Sequence, residues 1–203
     1  MAKPTYIYFW KVSQANGWAS QWYPSPFTAT LSLNPGEPGK QETVVLQTAE
    51  HWMMLQKALL FGDEGVARKV LGIHGTTNSD MKAVKGLGRK VRNFDEKVWA
   101  ANRERIVYEG NLEKFRQNKE LWDMLDATGD SVLVEASPMD KIWGIGIGEK
   151  KARERGKQGW RGQNLLGNCL GEVRDALRED GPRKRAKLDE ESNTQPLSLS
   201  QTA

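Results

Sequence analysis

Glu50 and Lys57 stand seven positions apart in the run EHWMMLQKALLF. On a helix that spacing returns them to within about 20° of one direction, about 10 Å apart along the axis. They share this face with Met54 and Phe61 and are too far apart for an ordinary ion pair. An acid and an amine on an apolar stripe need partners from elsewhere in the chain, a ligand between them, or a place at the stripe's edge in water. Asp140 is the next candidate, three residues before Trp143 in SPMDKIWGIGIG. Its loop follows an expected strand, and alternating glycines there permit close backbone approach and free amide donors. As a dinucleotide fingerprint, Gly144-x-Gly146-x-Gly148 is weak. The charged run EKKARERGK that follows carries no apolar-periodic helix to complete such a unit.

Phosphate binding is the second chemistry in view. Between Arg68 and Arg92, seven basic residues face Asp80 alone, a net of +6 within a chain whose total is +4. Such a field suits a polyanion, and equally a solvated face. Eight tryptophans, at 10, 18, 22, 52, 99, 122, 143 and 160, are many for 203 residues. Most are expected in the core, with one or two free to line a site that stacks a flat ring. One cysteine and two histidines (His51, His74) cannot assemble a zinc site of the usual four ligands, so no metal and no cofactor are expected. Cys169 falls within an apolar helical face and reads as a core residue.

The elements that must position these groups follow from pattern. Tyr6 to Val12 is strand-like, the prolines of YPSPF (23–27) force extended chain, and Glu42 to Leu46 is a strand returning from a turn-rich loop. Four helices are expected after it. One opens at Thr48 as N-cap, and one at Asp95, with Phe94 stapled to Trp99. A third covers about 111–126, and the fourth presents Leu165, Leu166, Cys169, Leu170, Val173, Ala176 and Leu177. Ser131 to Ser137 is a buried-strand candidate. The expected fold is α+β: one predominantly helical domain over 1–180 with a small β-sheet, and a disordered tail over 181–203. Hydrophobic content of 38% and a mean hydropathy of −0.66 argue against a membrane protein. No secretory signal pattern opens the chain, so a nuclear or cytoplasmic location is expected.

Eight segments together resemble the NADAR family, the YbiA-like N-glycosidases. They are YPSPF (23–27), AEHWMMLQKA (49–58), KGLGRKV (85–91), VWAANRERI (98–106), LEKFRQN (112–118), LVEASPMDKIWGIGIG (133–148), WRGQNLLG (160–167) and EVR (172–174). They occur in the family's order over about 1–178. One departure is Ser20–Gln21–Trp22, where the family usually has Ser-Asn before its YPSPF-like segment. The resemblance implies hydrolysis of a C–N glycosidic bond. It points to removal of ADP-ribose from guanine bases of nucleic acid, or to cleavage of phosphoribosylated intermediates of riboflavin biosynthesis. It places Glu50 and Asp140 at the sugar, and Lys57 as proton donor or as an amine that traps the opened sugar. Arg89, supported by Arg103, would hold phosphate oxygens. Trp143 and Trp99 would stack the base or line the site, and Asn164 would bind ligand or cap the last helix. A non-catalytic ADP-ribose or NAD reader and a nucleic-acid-binding module are the competing readings. In the tail, Pro182–Asp189 (PRKRAKLD) resembles a basic signal for a nuclear import receptor.

Overall fold

A computed structural model describes residues 4–193 except 35 and 38, with the backbone alone for 182–193. The elements run β1 (Tyr6–Phe9), β2 (Phe27–Leu31), β3 (Glu42–Leu46), α1 (Ala49–Leu60), α2 (Glu64–Leu71), α3 (Asn78–Gly88), α4 (Glu96–Gln117), α5 (Lys119–Asp126), β4 (Val132–Glu135), α6 (Glu149–Arg155) and α7 (Leu165–Asn193). Helices dominate, as expected of the α+β class. The small sheet is two ribbons. β2 and β3 form an antiparallel hairpin with Phe27 opposite Leu46, while β1 and β4 pair in parallel with Phe9 opposite Glu135.

Helix starts follow their caps. Thr48 accepts from His51 N, Asp63 from Val66 N, and Asp95 from Val98 N, while Thr77 and Asp80 form a reciprocal capping box. Two of these caps open helices where none was expected: Asp63 opens α2, which runs into the basic window, and Thr77 opens α3 within it. The expected helix over 111–126 is also corrected. Asn118 leaves the helical region (φ −120°, ψ 91°), so α4 runs unbroken to Gln117 and α5 begins anew. The charged EKKARERGK run forms α6 around one buried residue, Ala152, a turn too short for periodicity to reveal. The Phe94 staple takes another form: Phe94 is exposed and lies edge-on to Phe61, ring centroids 5.3 Å apart.

Trp18, Trp52, Phe115, Ile106 and the inner face of α7, with Cys169 buried in it, share one core. A smaller core behind β1 and β4 holds Tyr8, Val134, Ile145 and Ile147. Close approach of α1 and α4 requires Gly110, because a Cβ there would strike the Trp52 indole, whose Nε1 donates to Ile106 O at 2.8 Å. Buried Arg174 ties α7 to the turn before β4, donating to Thr128 Oγ1 and Ser131 O. The helix backbone continues past residue 181, where the tail was expected to start. The side chains of 182–193 and all of 194–203 lie outside the described residues.

Candidate active site

Glu50 sits in the first turn of α1 and is only 2% exposed, so the alternative of a solvated stripe edge is ruled out. Its N–H donates to Gln21 O at 3.0 Å, docking the Gly17–Tyr23 loop onto the helix N-terminus. Lys114 holds the far side of that loop. Fully buried, it donates from Nζ to Trp18 O (2.8 Å) and Ser20 O (3.1 Å). Burial lowers its pKa to about 7. The Glu50 carboxyl is in a contested environment. Burial raises its pKa, Lys85, the Trp22 side chain as hydrogen-bond donor and Arg89 oppose that rise, and Asp140 adds to it. Its Oε1 is buried without a partner.

A second carboxyl, not anticipated from the sequence, faces the first. Glu135 ends β4, and its backbone is fixed at both ends: N–H to Asn164 Oδ1 (2.9 Å) and C=O from Ile145 N (2.9 Å). Burial, with Asp140 and Glu50 adding repulsion against Lys85, raises its pKa to about 8. Its Oε2 is buried and unpartnered. Asp140 joins them from the loop after β4. Its Oδ1 accepts from Ile142 N (2.9 Å) and Trp143 N (2.8 Å), so the loop is folded around the carboxylate that it presents. The charges of three acids, from α1, β4 and the following loop, thus act on one another, with Lys85 of α3 opposing. Among the described residues no three His, Cys, Asp or Glu side chains converge on one metal position.

Lys57 lies at the other end, two turns along α1. Its Nζ stands 4.0 Å from the Phe94 ring centroid and 5.3 Å from that of Trp99. Burial and the nearby Arg89 lower its pKa, with Glu96 opposing. Arg89 therefore acts on both Glu50 and Lys57 and stands between the two ends. It is exposed, and with Lys85 it has no ion-pair partner among the described residues. Arg103 packs behind this end with its side chain 12% exposed, 4.0 Å from Glu96, its Nε buried without a partner.

Two expected binding residues are occupied elsewhere. Trp99 is buried in the core under Lys57, which makes it a support for that amine rather than a free stacking face. Asn164, with positive φ (57°), donates from Nδ2 to Leu133 O (2.9 Å) while its Oδ1 takes the Glu135 N–H. Both ends of its amide are used to position β4. Trp143 stays half-buried beside Asp140. The basic window is also weaker than its formal charge. Arg68 pairs with Glu64 and Glu42, and Arg92 with Asp63. Hydrogen bonds from Arg92 hold the Asp63 pKa down at about 2.

The NADAR domain family model matches residues 8–178 of the chain. N-glycosidase R617 of Acanthamoeba polyphaga mimivirus is 42% identical over 156 residues, 77% of this chain and 85% of that protein. Protein irg-1 of Caenorhabditis elegans is 36% identical over 179 residues, 85% and 82% of the two chains. The NMR structure of Escherichia coli YbiA has the same fold, with a TM-score of 0.64 at 24% identity, covering 89% of each chain.

Proposed function

The chain belongs to the NADAR domain family, and from that premise we propose that its activity, hydrolysis of N-glycosyl bonds, is directed at ADP-ribose carried on guanine bases of nucleic acid. One observation carries the reading: the charges of Glu50, Glu135 and Asp140 act on one another with Lys85 opposing, and exposed Arg89 acts on Glu50. Cleaving a ribosyl–nitrogen bond builds positive charge at the anomeric carbon. Carboxylates held in place near that carbon stabilise the developing charge more strongly than the neutral ground state. Glu50 and Asp140 take this role. Arg89 and Lys85 meet the pyrophosphate, and Trp143 lines the base side. Lys57, with its lowered pKa, carries more free amine at neutral pH than an ordinary lysine, a condition for trapping the opened sugar as a Schiff base. The exposed cations Lys82, Arg89 and Lys90 on and after α3 favour a polyanionic substrate over a small phosphorylated pyrimidine.

The test is side-by-side incubation with ADP-ribosylated guanosine oligonucleotide, NAD and a ribosylated pyrimidine phosphate, identifying released base and sugar by mass. Release of ADP-ribose from the oligonucleotide, abolished in Asp140→Asn while free ADP-ribose still binds, is expected. Turnover of the pyrimidine alone would move the activity to the small-molecule branch of the family. Binding without turnover on every substrate would make the protein a reader. We also propose Pro182–Asp189 as a nuclear import signal. Its deletion is expected to shift a fluorescent fusion of the full chain out of the nucleus.

A further inference from the structure

Glu135 was absent from the sequence-based assignment of roles, yet its surroundings are hard to explain as structure alone. A carboxyl buried with one oxygen lacking any partner is costly, and the cost is removed by a proton, a ligand, or both. Its backbone is held by Asn164 on one side and Ile145 on the other, which fixes where the side chain starts. The charged groups that face it are Glu50 from α1, Asp140 from the loop after β4 and Lys85 from α3. Two of those three are acids.

Burial raises the Glu50 pKa as well, but there Lys85, the Trp22 donor and Arg89 oppose the rise. Lys85 and Asp140 act on both carboxyls, but Glu50 also has the Trp22 donor and Arg89 favouring its charged form and Glu135 has neither, a difference that divides the work of base and acid between them. Lys57 acts on neither acid and lies about two helical turns from Glu50.

Resting on the N-glycosidase reading above, we infer that Glu135 is the proton donor to the departing base. The C1′–N bond breaks with its electron pair going to the base nitrogen, which takes the Glu135 carboxyl proton. The sugar cation forms against Glu50 and Asp140. Water then adds its oxygen to C1′, and the proton it releases returns to the Glu135 carboxylate, leaving ADP-ribose and free base. Lys57 is thereby released from proton donation.

The experiment compares wild type, Glu135→Gln and Lys57→Met on ADP-ribosylated guanosine oligonucleotide across pH 5–10, with free ADP-ribose affinity and thermal melting measured on each. An acid must keep its proton, so wild-type kcat should fall as pH rises through about 8. Glu135→Gln should lower kcat by roughly 100-fold or more and remove that alkaline limb, with ADP-ribose affinity within about 3-fold and melting not lowered. Lys57→Met should keep the limb. The inference is overturned by a limb that persists in Glu135→Gln, by one that disappears with Lys57 instead, or by rate and ADP-ribose affinity falling together. A wild type inert on the oligonucleotide but active on the pyrimidine phosphate overturns the guanine substrate alone, and the same profiles are then read on the pyrimidine. A wild type inert on all N-glycosides overturns both.

Discussion

The side chains that matter most are those that the fold leaves unsatisfied. Glu50 Oε1, Glu135 Oε2 and Arg103 Nε are among the few buried polar side-chain atoms without a partner in the described residues. Stability would favour neutral or apolar groups at these positions, and a site that must stabilise a transient cation needs charge instead. Glu50→Gln is therefore expected to remove turnover by at least about 100-fold while raising stability by about 1 kcal/mol. That corresponds to about 2–4 °C in a calorimetric scan of a chain this size. A Tm that falls would mean Glu50 is held by contacts that the amide cannot make. Glu50, Asp140 and Lys57 were legible in the sequence because an acid or amine among apolar residues is conspicuous. Glu135 lies inside the expected strand Ser131–Ser137 and was not singled out, since strand pattern carries no sign of which charges from α1 and α3 its carboxyl meets.

At the scale of elements, α4 does more than its pattern suggests. Its Gly110 admits Trp52 of α1, its Asn111 donates to Gln21 Oε1 (3.0 Å), and its Lys114 secures the Trp18–Ser20 backbone. One helix thus positions α1 and the loop that carries Trp22 to Glu50. Gly110→Ala forces a methyl into the indole, an overpacking expected to cost about 1–3 kcal/mol and lower Tm by about 3–9 °C. Lys114 gives a pH signature. Its folded-state pKa lies near 7, below the ordinary 10.5. Between those values the unfolded chain binds the proton that the folded chain has lost, and stability rises with pH. Urea unfolding at pH 7, 8.5 and 10 should show that rise in wild type. It should be smaller in Lys114→Met, which also leaves the carbonyls of Trp18 and Ser20 without their donor.

Across the whole molecule, charge is redistributed by folding. The window from Arg68 to Arg92 reads as +6 in sequence, but Glu42, Glu64 and Asp63 neutralise its two ends. The cations left without ion-pair partners among the described residues are Lys69, Lys82, Lys85, Arg89 and Lys90. Of these, Lys85 and Arg89 act on the acid cluster. A substrate that extends past the ADP-ribose would meet Lys82 and Lys90. Lys82→Glu with Lys90→Glu is expected to reduce kcat/KM on the oligonucleotide by about 10-fold and flatten its dependence on salt. Hydrolysis of an ADP-ribosylated mononucleoside should stay within about 2-fold. Equal losses on both would place these lysines in the fold rather than on a strand's path.

The sequence by itself determined the helical character, the capped starts of α1 and α4, the apolar face of α7 and two of the three acids. Each is a local property: caps act within four residues, and amphipathic periodicity repeats every turn. Only tertiary structure decided that Asn164 and Trp99 are supports and that Glu135 acts on Glu50 and is acted on by Asp140. These outcomes depend on groups that meet across long stretches of chain, 31 residues from Leu133 to Asn164 and 85 from Glu50 in α1 to Glu135 in β4. The energy of a buried charge is set by the neighbours it meets in space, and sequence spacing carries no record of them.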